Sequence, residues 1–111
     1  MHLRESFRTA TIPINDTTSN AIPLRGKMVV GLRMPSAFTG TAITFTASEE
    51  LDGTFAAVYD SDGNQVSVAV STSRFVGLGG AEADAVAAAP FIKLVSGSTE
   101  VAARDVIVAM K

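Results

Sequence analysis

The chain has 111 residues, enough for one domain with a modest core and too few for two independent domains. Hydrophobic residues make up 47% and charged residues 18%, so disorder is disfavoured and much apolar surface must be buried; for a small domain, a partner subunit is one place where it can be buried. The net charge is −2 and the arginines are scattered singly, which argues against the concentrated basic face that nucleic acid requires.

The chain contains no cysteine, which excludes a disulfide framework, a thiolate nucleophile and zinc-ribbon chemistry. Residues 1–16 carry charges at Arg4, Glu5 and Arg8 and lack a continuous apolar stretch, so we expect no secretory signal. No segment approaches the roughly 20 apolar residues of a membrane span, and we expect no membrane partner.

Strand patterns begin near the amino terminus. Residues 7–14 (FRTATIPI) alternate in part, and Pro13 suits an edge strand or an extended arm that adds a strand to a neighbour. The polar residues 15–20 predict a turn or loop. We therefore divide the single domain into an amino-terminal arm or edge strand, residues 1–24, and a β-sandwich, residues 25–111.

The central segments predict further strands. Residues 26–34 (GKMVVGLRM) form one, which Pro35 ends because it lacks a backbone donor. Residues 42–46 (AITFT) alternate strictly, with Ile43 and Phe45 on one face. The polar segment 48–53 then predicts a corner.

The stretch VYDSDGNQVSV, residues 58–68, contains the most suggestive polar residues of the chain. We interpret its Asp-Gly pair as a hairpin corner between strands 54–59 and 65–70, because Asp and Gly both tolerate positive φ. Valines 66, 68 and 70 then share one face. A short strand over 74–78 follows.

Residues 79–90 (GGAEADAVAAAP) interrupt the succession of strands and corners, because they are rich in alanine and bounded by Gly80 and Pro90. They predict a long loop with at most one short helix. Strands over 91–96 and 104–110 complete the pattern. Corners every 8 to 12 residues predict an all-β fold, an antiparallel, jelly-roll-like β-sandwich.

The chain has six phenylalanines, one tyrosine and no tryptophan. Four phenylalanines lie in apolar runs and are predicted to be core residues: Phe45, Phe55, Phe75 and Phe91. The other two, Phe7 and Phe38, are the candidates for exposure.

A calcium loop of the EF-hand type fails by its spacing. Such a loop needs glycine at position six and glutamate at position twelve. Starting at Asp60 places Gly63 at position four and Ser71 at position twelve. Starting at Val58 places Ala69 at position twelve. A looser site that uses Asp60, Asp62 and a backbone carbonyl stays open.

The sequence gives equally little support to a catalytic arrangement. We assign no catalytic, cofactor-binding or metal-binding residue. A Ser-His-Asp triad would depend on His2, the one histidine, in the amino-terminal segment. A Ser-Lys pair has Lys27 or Lys93 available, although alternation makes Lys93 an outward strand residue. The glycines of residues 77–80 lack the rest of a phosphate-binding motif. The corner carboxylates are interpreted as solvated tips rather than an acid/base pair: Glu49, Glu50, Asp52, Asp60 and Asp62.

An ordered series of segments carries a family resemblance: AIPL (21–24), VVGLRMPSAF (29–38), AITFTASEELDGTFAAVYDSDGNQVSV (42–68), SRFVGL (73–78), APFIKLVSG (89–97) and AARDVIVAMK (102–111). Over residues 20–111 the chain resembles small structural proteins of tailed-bacteriophage virions, of the capsid decoration or cement type. The alanine-rich segment 79–90 departs from that pattern.

The resemblance implies a jelly-roll-like β-sandwich on the capsid exterior, a homotrimer that binds the major capsid protein and stabilises the head. It implies no catalytic residues and no cofactor, and it leaves the partner-binding residues unknown. Two alternatives stay open. The first is a head- or tail-fibre module that binds a host-surface glycan through loops 48–53 and 60–64; the second is a small hydrolase.

Overall fold

The structure is a computed structural model that describes residues 6–111. Within this range lie nine strands and one helix. Their bounds, in chain order, are β1 Ser6–Ile12, β2 Ile22–Pro23, β3 Val29–Arg33, β4 Ala42–Ser48, β5 Ala56–Ala57, β6 Ser67–Ala69, β7 Phe75–Gly77, α1 Gly80–Val86, β8 Phe91–Ser96 and β9 Arg104–Met110.

The strands form two antiparallel sheets. Sheet A has the order β1-β9-β3-β7, and sheet B has the order β2-β8-β4-β5, with β6 also paired to β4. The predicted all-β, sandwich-like fold is confirmed, with one short helix in the 79–90 segment. The predicted strand over 104–110 has its bounds confirmed, while those over 54–59 and 65–70 shorten to two and three residues.

The amino-terminal strand is integrated into the sandwich. β1 pairs with β9 of the same chain over its full length, and it lies at the edge of sheet A. Near its end, Asn20 covers that edge: its Oδ1 accepts the N–H of Thr11 at 2.8 Å, and its own N–H donates to the Thr11 carbonyl. Residues 1–5 of the predicted arm lie outside the described residues.

The core lies between the two sheets, where alternating side chains of both meet. Sheet A contributes Leu32, Val106 and Val108, and sheet B contributes Phe45 and Leu94, all fully buried. Because period-two alternation places these residues on inner faces, the opposite faces of both sheets are left to solvent or to partners. The predicted common face of valines 66, 68 and 70 is confirmed, since all three are buried.

The predicted hairpin differs in its pairing. The tip is closed by a bridge between Tyr59 and Gln65, and Gly63 takes the expected positive φ of 81°. However, β5 and β6 do not pair with each other, because both pair with successive parts of β4. The segment 58–66 is therefore a short excursion from one interrupted strand rather than the corner between two paired strands.

The helix α1 follows from local composition. Its alanines favour helix, and the Glu82 carboxylate accepts the N–H of Gly79 at 2.9 Å, which satisfies one of the donors left free at a helix start. Ala83 and Val86 are buried against the sandwich. The helix thus packs by one face only.

The burial predicted for the phenylalanines is confirmed for some of them and wrong for others. Phe45 is in the core, Phe7 is 57% exposed, and both agree with expectation. Phe75 was predicted to be core, and this was wrong: it is 64% exposed, because its strand position points it to the outer face of sheet A. Phe38 was expected to be exposed but is half-buried against the core. Phe91 and Phe55 were also predicted to be core residues, but both are only half-buried.

Replacement of Phe45 by alanine is expected to lower the free energy of unfolding by about 3–5 kcal/mol, because it leaves a cavity between the sheets. Phe75→Ala removes the same atoms from an exposed site and should cost less than about 1 kcal/mol. Urea denaturation followed by circular dichroism measures both. Similar losses in the two variants would contradict the assignment of the core.

Candidate functional site

A shallow apolar groove crosses the outer face of sheet A. Strand pairing places Phe7, Ala109, Gly31 and Gly77 in one row across the four strands. The exposed rings of Phe7 and Phe75 lie at its two ends, and the small residues between them form its floor. Its volume is about 340 Å³. Large apolar side chains exposed around a concave floor are typical of a contact surface.

One floor glycine keeps the groove open. A Cβ at Gly31 would lie 3.3 Å from the Val76 carbonyl oxygen, so the sheet itself limits that position. A Cβ at Gly77 would meet nothing within 4 Å, and the φ of Gly77 is not in the left-handed region. A larger side chain at position 77 would therefore occupy the groove without displacing the strands.

Two cationic side chains lie beside this groove. The Arg33 guanidinium carbon lies 5.3 Å from the centroid of the Phe75 ring, within the range of a cation–π contact, and Lys111 lines the groove. We call this surface the basic groove.

Among the described residues, Asp105 is a carboxylate on the same face of sheet A, two residues along β9 from Ile107, which pairs with Arg33. Asp105 is four residues from Ala109 along β9, about 13 Å at the rise of a strand. Its Oδ1 accepts the hydroxyl of Thr11 at 2.7 Å. Within residues 6–111, the side chains that line the basic groove include the cation of Lys111 and no carboxylate, although the chain as a whole is acidic.

The excursion 58–66 and α1 together form a surface of the opposite sign. Tyr59, Asp60, Asp62 and Asp84 line one depression, and Tyr59 is 56% exposed. The Asp60 carboxylate is engaged in the turn, where its Oδ1 accepts the N–H groups of Asp62 and Asn64, both at 2.9 Å. Asp62 and Asp84 are exposed. We call these four residues the acidic corner.

The other predicted loop, 48–53, is a solvated tip. Glu49, Glu50 and Leu51 are exposed, and the Ser48 hydroxyl accepts the N–H of Glu50 at 3.1 Å. The loop is held by this local bond and by a turn in which Gly53 donates to the Glu50 carbonyl at 3.1 Å.

A buried carboxylate lies at one end of the sandwich. Glu100 is 0% exposed, and each of its oxygens accepts two hydrogen bonds. Oε1 accepts the N–H of Thr39 at 2.9 Å and the Nε–H of Arg104 at 3.0 Å. Oε2 accepts the N–H of Gly40 at 3.1 Å and the hydroxyl of Ser96 at 3.0 Å. All its partners are donors, which suits an ionised carboxylate.

The pKa of Glu100 reflects two opposing causes. Burial raises it by disfavouring the charge, but the hydrogen bonds from Thr39, Arg104, Gly40 and Ser96 together outweigh burial and hold the pKa below its ordinary value of 4.5. Glu100 therefore remains ionised at neutral pH. Its saturated environment leaves no free lone pair for a substrate, so the residue is a structural clamp.

The two lysines of the candidate Ser-Lys pairs lie in different surroundings. Lys27 Nζ donates to the Ser6 hydroxyl oxygen at 2.7 Å. In this bond the serine is an acceptor, whereas a nucleophilic serine needs a base that accepts its proton. Lys93 lies 4.4 Å from the Phe55 ring centroid on the outer face of sheet B, as alternation predicted. His2 lies outside the described residues.

Residues 6–111 hold no group of three or more metal-ligating side chains from His, Cys, Asp or Glu. The helix α1, the one helix within residues 6–111, is not long and apolar enough to cross a membrane. Comparison with protein-family models and with curated proteins finds no match.

The sequence interpretation missed the two features with the clearest geometry. Glu100 follows a Gly-Ser-Thr turn in a segment without periodicity, and no sequence pattern predicts its burial. The basic groove requires residues from four strands to be adjacent. The spacing of Phe75 and Gly77, two residues apart on one strand face, was the available signal for its β7 side.

Replacement of Glu100 by glutamine is expected to lower the free energy of unfolding by about 3 kcal/mol, the low end for breaking a buried pair, because the Arg104 side chain is 15% exposed. The matched control is Glu49→Gln at the exposed tip, with an expected change within about 0.5 kcal/mol. Denaturant unfolding at pH 7 measures both. Equal stability of the two variants would contradict the clamp.

The same carboxylate predicts a dependence on pH. Because folding lowers its pKa, the unfolded state binds more protons between the two pKa values, and stability rises with pH there. The contribution of Glu100 is complete above 4.5 and is lost as the pH falls through the lowered pKa of the folded state. Glu100→Gln should flatten this part of the stability curve, measured by thermal unfolding from pH 5 downward. An unchanged slope would contradict this role.

Proposed function

We propose that the chain is a structural protein of a tailed-bacteriophage virion, a capsid decoration protein that binds the outer surface of the major capsid protein lattice and stabilises the head. The proposal starts from the resemblance of residues 20–111 to such proteins. The sandwich-like fold that this resemblance implied is the fold of the chain.

The observation that carries the proposal is the exposed basic groove. A protein that binds a large repeating lattice needs a rigid scaffold and a shallow contact surface, and its affinity grows with the number of copies bound. The groove is open, is built on regular strands of sheet A, and is bordered by the exposed aromatic side chains Phe7 and Phe75. Aromatic residues and arginine are enriched at protein–protein contact sites.

The polar groups described above favour a structural role for the chain over a catalytic one. The buried Glu100 is saturated by four donors, and the Asp60 carboxylate closes a turn. The corner carboxylates Glu49, Glu50 and Asp62 are exposed at loop tips. Each of these acids therefore has a structural or solvated role that needs no substrate.

Virions purified on a density gradient, from the phage whose genome encodes this chain, are expected to contain it in many copies per particle. Deletion of its gene should leave particles that assemble but lose infectivity faster on heating, because the bonds across the capsid lattice are fewer. Mass spectrometry of the particles and heat-inactivation curves measure the two effects. Recovery of the protein only in the soluble part of the lysate would overturn the proposal.

The alternative function, a fibre module that binds a glycan, predicts different results. A fibre module should bind specific sugars on a glycan array, and replacement of the exposed Tyr59 in loop 58–66 should abolish that binding. Particles without such a module would keep their heat resistance and lose adsorption to the host. This outcome would replace the decoration role with adhesion.

A further inference from the structure

We propose that the exposed side chains of Ile14 and Val101 form an aliphatic tip that inserts into an apolar pocket of the major capsid protein, a pocket bordered by a cation. This inference rests on the proposed function and names a contact separate from the basic groove. Three observations carry it: the two side chains are adjacent, their loops are firmly held, and the charge beside them is negative.

The two side chains are adjacent because their loops pair by backbone hydrogen bonds. The Asn15 N–H donates to the Glu100 carbonyl at 2.8 Å, and the Glu100 N–H donates to the Asp16 carbonyl at 3.0 Å. Two residues thus face one, which is the pattern of a β-bulge, and Asn15 has a left-handed φ of 63°, as the first residue of one bulge class does. The next residues on each side, Ile14 and Val101, therefore lie opposite each other.

Both side chains point away from the core. The Glu100 side chain points inward and is fully buried, and successive residues of an extended segment point to opposite sides, so Val101 points outward. Val101 is 69% exposed and Ile14 is 58% exposed. Single exposed apolar residues are common on protein surfaces. Two branched aliphatic side chains side by side at a loop end instead form a small apolar patch that can be buried in a pocket.

The two loops that carry the tip are firmly held. The four hydrogen bonds of the Glu100 carboxylate fix the residue before Val101. In the other loop, Pro13 restricts the backbone before Ile14, and the Asp16 carboxylate accepts two backbone N–H groups of the residues that follow it, at 2.7 Å and 3.2 Å. Groups that are already held in place lose little conformational entropy on binding, which favours an anchor at this position.

The charge nearest the tip is negative. Asp16 is exposed and follows the tip in the same loop. Within residues 6–111, the other charged side chains toward this end of the sandwich are bonded or farther away. Arg104 and Asp105 are engaged in hydrogen bonds, and Arg33 in β3 and Arg74 before β7 lie two and three strands from β1, about 10 Å and 14 Å at the spacing of strands. An acidic border favours a pocket with a cation at its edge over an anionic bilayer, which attracts basic segments.

The tip and the basic groove lie toward opposite ends of sheet A. The groove is lined by Phe7 and Ala109, whereas the tip follows the end of β1 and precedes the start of β9. Phe7 is five residues from the end of β1, about 17 Å at the rise of a strand. Substitutions at the tip therefore leave the groove unchanged.

Binding of the purified, labelled chain to heads from the phage that lacks its gene tests the inference by cosedimentation. The wild-type chain should bind these heads, and Ile14→Ser and Val101→Ser should each raise the dissociation constant about tenfold or more. Val101→Ile should retain binding, because it keeps a branched aliphatic side chain. Val101→Lys should bind more weakly than Val101→Glu, since a cation borders the proposed pocket.

Leu51→Ser is the matched control. Leu51 is 53% exposed in the loop after β4, and β4 begins near Gly40 at the Glu100 end of the sandwich and runs to the opposite end. The substitution thus removes an exposed aliphatic side chain far from the tip and should leave binding unchanged. Thermal unfolding of every variant verifies that the fold is retained.

The wild-type result separates the inference from the proposed function. A wild-type chain that does not bind the heads would overturn both. Equal binding by the wild-type chain and the two serine variants would leave the capsid role standing and overturn the role of the tip. Vesicles of phosphatidylcholine and phosphatidylglycerol, and sedimentation of the free chain, test a lipid surface and a second copy as occupants. Either kind of association, if the wild-type chain shows it and the serine variants lose it, would overturn the capsid pocket as the partner of the tip.

Discussion

The buried carboxylate of Glu100 is the constraint on which one end of the sandwich depends. It joins Arg104 at the start of a sheet A strand to Ser96 at the end of a sheet B strand, and it holds the loop at Thr39 and Gly40. Its backbone also bonds to Asn15 and Asp16, in the connection that follows β1. Three elements thus share the carboxylate, and the buried donors of Gly40 and Ser96 would be left unpaired without it.

Away from that end, apolar packing between the two sheets holds the sandwich together. The inner faces of both sheets are filled by branched aliphatic side chains and Phe45, and this packing leaves the outer face of sheet A free for contact. The groove beside Phe7 and Phe75 exists because the row of residues that continues from Phe7 across the sheet consists of the small residues Ala109, Gly31 and Gly77. A rigid floor of regular strands costs little conformational entropy on binding, which favours a contact surface over a flexible loop.

Much of the architecture could be predicted from local patterns. The apolar residues of 104–110 predicted that strand, and alternation predicted the common face of Val66, Val68 and Val70, because side chains in a strand point to opposite faces in turn. The same reasoning failed for Phe75, since a three-residue strand is too short to show which face is inner. It predicted the hairpin tip, which is closed between Tyr59 and Gln65, but not that β5 and β6 pair with β4, because Asp-Gly predicts a turn and does not determine which strands pair beside it.

The sequence by itself determined the strand-rich class, the turn at Gly63 and the lack of cysteine chemistry. These follow from composition and from side-chain periodicity, which act over a few residues. The tertiary structure alone decided that Glu100 is buried among four donors and that Phe7, Ala109, Gly31 and Gly77 form one row. Both depend on strand order and register, which join residues up to about a hundred positions apart, and no local pattern encodes those pairings.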